Sequence, residues 1–110
     1  MEKLTLERLQ SIWESKTILK NIEIVVILAF NSKITLGTLW YYSHLDTDKS
    51  VTIAEGKINV IDIKDGNYIL FIGGREFIIN QYCSYIDEPS FNMSISEIGT
   101  LQFSRKRNKL

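Results

Sequence analysis

Residues 64–79 read KDGNYILFIGGREFII. Two apolar runs, Tyr68–Ile72 and Glu76 onward, are set off by Asp65-Gly66 and by Gly73-Gly74. An Asp-Gly pair between apolar runs is a strong hairpin signal, because both residues tolerate the positive φ of a primed turn. Gly73-Gly74 has a second reading as a phosphate cradle. Such a loop opens a helix, and Arg75–Ile79 reads as strand, so a tight turn is expected. The stretch therefore sets up a meander of short antiparallel strands.

Upstream, Lys57–Ile63 and Val51–Ala54 flank Glu55-Gly56. They form two short strands, or one long strand bent at Gly56. Ile34–Tyr42 is a further strand with Gly37 in its middle, where a bulge or sharp bend is expected. Asn31-Ser32-Lys33 is a turn. Ile22–Phe30 is β-branched and apolar on both faces after Glu23, which describes a strand covered on both sides. At the N-terminus, Leu6, Leu9, Ile12 and Trp13 recur at helical spacing, and Thr5 suits an N-cap with Glu7 in the first turn. The spacing predicts a helix ending near Lys16–Lys20, packed on the strand that holds Val25 and Ile27.

Downstream, Pro89 lies in the break Asp87-Glu88-Pro89-Ser90, and Phe91, Met93 and Ile95 alternate. Ser94-Ile95-Ser96-Glu97 has capping-box spacing with Gly99 close behind, which predicts a single helical turn. Leu101 and Phe103 make a last short strand. The expected fold is mainly β, of the α+β kind. An N-terminal helix packs on a small antiparallel, strongly bent sheet or barrel of about six strands, which removes exposed edges. Residues 1–104 form one domain, and 105–110 a basic tail.

The order of elements, with ILFIGGREFII at 69–79 and Leu36-Gly37-Thr38-Leu39 earlier, resembles the Sm-like and SH3-like small barrels. In Sm-like proteins a helix caps a five-stranded barrel. The chain departs from that pattern in lacking a clear Asp-x-x-x-Asn element after Gly37, and residues 80–110 follow the supposed last strand. The segments GKINVIDIKDGNYILFIGGREFII (56–79) and ISEIGTLQF (95–103) are similar to the bacterial YolD-like family. The resemblance implies a barrel and assigns no residue roles.

Composition narrows function. The chain has 110 residues, 45% apolar and 24% charged, with 13 basic and 13 acidic side chains. A dedicated duplex-DNA binder carries a basic excess, which is missing here. Cys83 is the only cysteine and His44 the only histidine. No disulfide within the chain and no Cys/His zinc set can form, and most acid–base schemes fall away. The single thiol, the interrupted first apolar stretch and the short run Ile24–Phe30 predict a cytoplasmic protein without signal peptide or membrane helix. Its richness in Ile, Lys and Asn fits an AT-rich bacterial or phage genome. His44, Asp46 and Asp48 share a polar loop, read as a solvated turn. Cys83 reads as a small apolar group at a strand end. No catalytic, cofactor-binding or metal-binding residue is expected.

Two surfaces stand out. Trp40, Tyr41 and Tyr42 are consecutive aromatics beside the loop that holds His44. Strand alternation puts Trp40 and Tyr42 on one face and Tyr41 on the other, so at least one ring is partly exposed. These four residues are the candidate contact with a protein partner or a second copy. The tail residues Arg105, Lys106, Arg107 and Lys109 are the candidate contact with nucleic acid. The expected function is a non-enzymatic module that docks a protein, of adaptor or phage/bacterial inhibitor type. The alternative is an Sm-like barrel that binds RNA or single strands.

Overall fold

Three turns of two residues organise the chain. Lys20-Asn21 (φ 50° and 66°), Asp65-Gly66 (56° and 79°) and Gly73-Gly74 (58° and 86°) all take positive φ at both central positions. That backbone matches the right-handed twist of the strands it joins. The computed structural model describes residues 3–84 and 88–106. It holds α1 (Leu6–Leu9) and eight strands: β1 (Ile12–Leu19), β2 (Ile22–Phe30), β3 (Leu36–Ser43), β4 (Asp46–Lys64), β5 (Asn67–Ile72), β6 (Arg75–Cys83), β7 (Ser90–Ile95) and β8 (Gly99–Arg105). Each strand pairs antiparallel with its sequence neighbours, and β8 returns to β1, closing a barrel.

The expectation of a small antiparallel barrel holds. The strand count is eight rather than about six. The helix is also corrected: α1 has only 4 residues, with Thr5 as N-cap. Ile12–Leu19 is a strand in register with β2 from Ile12↔Ala29 to Leu19↔Ile22. A short helix is marginal in water, whereas this hairpin gains a full ladder. Trp13 is fully buried while Ile12 is 43% exposed, so the apparent helical stripe divides between inside and outside. The predicted turn of helix after Ser94 is a hairpin loop at 96–98, with Ile98 N–H donating to the Ile95 carbonyl.

Apolar side chains fill the lumen. Leu28, Leu39, Leu70, Ile72, Ile79, Phe91, Met93 and Phe103 are fully buried. An eight-stranded barrel is about the size that side chains alone can fill. Trp13 packs on Phe91 with ring centroids 4.7 Å apart, and Phe91 stacks on Phe103 at 5.7 Å. The Trp13 indole N–H donates to the Leu9 carbonyl (3.0 Å), so the buried ring leaves no donor unpaired. The N-terminal segment joins this core through Leu4 and Leu9, and Leu4 N–H donates to the Tyr68 hydroxyl at 3.1 Å. Among the described residues, no helix is long and apolar enough to cross a membrane.

β4 is one strand of 19 residues, bent at Gly56 (φ 140°). Its first half pairs with β3 and its second with β5. At the bend Gly56 lies against Gly73. A Cβ on Gly73 would stand 2.1 Å from the Glu55 carbonyl oxygen, whereas one on Gly74 would meet nothing within 4 Å. Both have positive φ, so Gly74→Ala should cost about 1 kcal/mol of backbone strain. Gly73→Ala adds a backbone clash and should cost about 3 kcal/mol or more. Urea unfolding of the two variants measures the difference, and equal losses would mean that the β4 bend yields freely.

Candidate docking surface

β2 carries apolar residues on its outer face as well as its inner one. Ile24, Val26 and Leu28 point into the core cluster, while Val25 and Ile27 lie outside it yet are only 1% and 4% exposed. The expected cover for them was the N-terminal helix. Instead, register places Tyr42 opposite Val25 and Trp40 opposite Ile27 on β3, with Lys16 and Glu14 opposite them on β1. The ridge thus lies between the aromatic pair on one side and Lys16 and Glu14 on the other.

The parity expected for the aromatics is the one observed. Trp40 and Tyr42 share the outer face and are half-buried, and Tyr41 packs against the core from inside. A register shift between Leu39 and Trp40, with Ala54 and Thr52 as their partners, leaves Ile53 as an extra residue in β4. Such a bulge bends the strand locally and re-aims side chains. Beside Trp40 runs an open groove of about 590 Å³, lined by Ala29, Phe30, Asn31, Leu36, Thr38, Trp40, Ser50 and Thr52. Its lining mixes apolar side chains with three hydroxyls and one amide.

The loop at the groove's end is stiff. The Asn31 side-chain carbonyl accepts from Thr35 N–H (2.8 Å) and Leu36 N–H (3.0 Å), and its amide donates to the Thr35 hydroxyl at 2.9 Å. Ile34 sits in this loop at φ 55°, an uncommon conformation for a β-branched residue.

His44 is not brought to the groove. It is exposed in the turn between β3 and β4 and lines a separate hollow with Lys16, Thr17, Ile18, Glu23 and Ile24. The expected polar loop is itself mostly strand, because β4 begins at Asp46, which pairs with Ser43. Asp46 forms an ion pair with Lys49 at 3.7 Å. Among the described residues, no three of His, Cys, Asp and Glu gather closely enough to hold a metal ion. Cys83 is half-buried at the end of β6.

The basic tail is partly engaged with the barrel. The Arg105 guanidinium lies 5.4 Å from the Trp13 ring centroid, and Lys106 Nζ is 3.9 Å from Glu14. Arg107 and Lys109 lie outside the described residues. Two surfaces escaped the sequence reading. Ile61, Ile69 and Ile78 form an outward row across β4, β5 and β6. Double-sided apolar patterning in Lys57–Ile63 and Tyr68–Ile72 carried that signal. The other is the site where Arg75 and Glu97 form an ion pair.

No family model matches the chain, and neither the curated proteins nor the solved structures contain a significant match.

The Arg75 guanidinium is clamped at the end of the barrel opposite Trp13. It grips both oxygens of Glu97, donates to the Ser96 hydroxyl (3.1 Å), and reaches the Ile53 carbonyl at 3.4 Å. It also lies 4.9 Å from the Phe77 ring centroid. The bond from Arg75 and another from the Ser96 hydroxyl pull the Glu97 carboxyl down to about 2. A depressed carboxyl stabilises the fold above its unfolded value, and the contribution disappears as pH falls through the folded value. The wild-type chain should therefore lose stability relative to Glu97→Gln between pH 4.5 and about 2. At neutral pH the variant should cost about 1 kcal/mol or less, because both side chains stay a third to a half exposed and are screened. Thermal unfolding across that range measures it, and parallel pH profiles would remove the clamp from the stability account.

Proposed function

We propose that the chain is a non-enzymatic binding module that docks a protein partner through the outer face of β2–β4. The observation that carries this reading is the Trp40 ring, half-buried on the outside of a barrel whose own core is already full. The groove beside it sets apolar side chains among hydroxyls and an amide, the mixture found in protein-binding patches. Trp and Tyr rings are the most frequent anchors of such patches, since they add much contact area at little entropic cost. The stiff Asn31 loop keeps one groove wall in place before binding, which lowers the ordering cost of association. An adaptor and an inhibitor of a host enzyme both work through a patch of this kind. The nucleic-acid alternative draws on the aromatics and on Arg105, Lys106, Arg107 and Lys109; Arg105 and Lys106 already have partners on the barrel, and the other two lie outside the described residues.

Trp40→Ala tests the reading. A fully buried Trp costs about 3–5 kcal/mol on truncation, so half-buried Trp40 should cost the free domain about 2 kcal/mol or less. Affinity for a purified partner, first isolated by co-purification from the source cells, should fall by about 2 kcal/mol or more. Binding should also change little with salt. Unchanged affinity in the variant, or a steep salt dependence with an oligonucleotide as the bound species, would overturn the proposal.

A further inference from the structure

The barrel closes over only part of its last seam. β1 and β8 pair at Trp13↔Arg105 and Glu14↔Ser104, and the ladder stops there. The same register, continued, would set Lys16 opposite Gln102 and Ile18 opposite Thr100, and neither pair forms. In their place is a cleft of about 460 Å³, lined by Glu14–Thr17 on one bank and Thr100, Leu101, Gln102 and Ser104 on the other.

Two backbone hydrogen bonds fix which groups face this cleft. Lys106 N–H donates to the Ile12 carbonyl at 2.7 Å, so even-numbered residues of β1 aim their N–H and C=O at β8. Arg105 N–H donates to the Pro89 carbonyl at 3.2 Å, so odd-numbered residues of β8 are bonded to β7 and even-numbered ones face β1. The main-chain groups of Lys16 and Ile18 on one bank, and of Thr100 and Gln102 on the other, therefore face across the seam without a paired rung, Lys16, Thr100 and Gln102 along the cleft itself and Ile18 just beyond it. All four residues are exposed.

We infer that this seam receives one extended peptide strand of a partner protein, paired through its backbone to β1 and β8 at once. Unpaired ladder groups are directional, and only another extended backbone matches their alternation on both banks. The chemistry of the banks also defines the side chains. Ser15 and Leu101 are buried beneath the cleft and Thr17 is half-buried, so residues facing the floor should be small or apolar. Lys16 has no ion pair among the described residues, whereas Glu14 is joined to Lys106. The uncompensated charge at the opening is positive, and an acidic residue on the strand's outer face complements it. The seam is separate from the Trp40 groove, and the inference does not depend on that surface.

Amide hydrogen exchange on the full chain tests it. In the free protein the amides of Lys16, Ile18, Thr100 and Gln102 should exchange about 100-fold faster than those of Thr17, Leu101 and Phe103, which are bonded within the sheet. The probes are synthetic peptides selected from a displayed library of random sequences. A selected peptide should slow the four seam amides by about tenfold or more and leave the β2–β4 face unchanged. Lys16→Pro and Gln102→Pro each remove a seam-facing N–H that no internal ladder uses, and each should weaken the peptide by about tenfold. Seam amides already protected in the free protein would overturn the inference, as would a library in which no sequence is enriched. Peptides that protect the Trp40 face instead would sink the seam and support the docking groove. Protection that rises with protein concentration alone would assign the seam to a second copy. The wild-type measurements decide the matter even where a proline variant does not fold.

Discussion

Trp13 sits where the two ends of the chain meet. Its ring lies between Leu9, Phe91 and Arg105, and the bond from Lys106 to Ile12 ties β8 to β1 beside it. Every other pairing in the barrel joins strands adjacent in sequence, so each can form as a local hairpin at small loop-closure cost. Closure is the one step that brings residue 13 to residue 105. With only two rungs in that ladder, hydrogen bonds alone are a weak clasp, and the aromatic cluster Trp13–Phe91–Phe103 has to hold the seam. The seam is paired at this end and unpaired at the other. Beyond Ser15 the inward residue of β1 is Thr17, too small to bridge to Leu101.

The lumen is where the fold is made stable, and this shapes what the outside can do. Inward positions of β5–β8 are long apolar side chains, as in Tyr68, Leu70 and Ile72 or Phe91, Met93 and Ile95. Outward positions, apart from the buried ridge of Val25 and Ile27, contribute less to folding and divide into distinct sectors. β7 and β8 show Ser90, Asn92, Ser94, Thr100, Gln102 and Ser104 to solvent. β4–β6 show Ile61, Ile69, Phe71 and Ile78. β2–β3 show the ridge of Val25 and Ile27 under Trp40 and Tyr42. Register shifts at Leu39/Trp40, Tyr42/Ser43, Asp62/Lys64 and Asn80/Cys83 interrupt the ladders of β3–β4, β4–β5 and β6–β7.

Legibility of this architecture in the sequence followed the strength of local signals. Asp65-Gly66 and Gly73-Gly74 announced their turns because glycine carries the positive φ openly. Lys20-Asn21 has the same backbone and no glycine, so the β1–β2 hairpin was hidden. β1 itself was hidden for a second reason. Between the inward residues Trp13 and Leu19 stand Ser15 and Thr17, which break the apolar alternation, while Leu6, Leu9, Ile12 and Trp13 fit a helical period. Glu97 had a local partner by capping-box spacing, but Arg75 binds it from 22 residues away. The parity of Trp40 and Tyr42 was readable from strand alternation alone. The separation of His44 from them was not, since it depends on the turn that starts β4 so early. The open seam was beyond any local pattern, because it is a property of closure.

The seam and the aromatic groove differ in the physics by which each would select an occupant. A groove built on Trp40 is read by shape and apolar area, which many side-chain arrangements satisfy. A seam built on main-chain groups reads an extended backbone first and side chains second. Closed barrels otherwise abolish the free edges through which strands add to sheets. A barrel that leaves rungs open between Lys16 and Gln102 keeps one such edge on each bank, each shielded by the other from random pairing. An edge flanked by a second bank is less open to another sheet than the free edge of an open sheet. The polar, uncharged outer face of β7–β8 has the same consequence, since it offers no apolar platform on which a stacked chain could build.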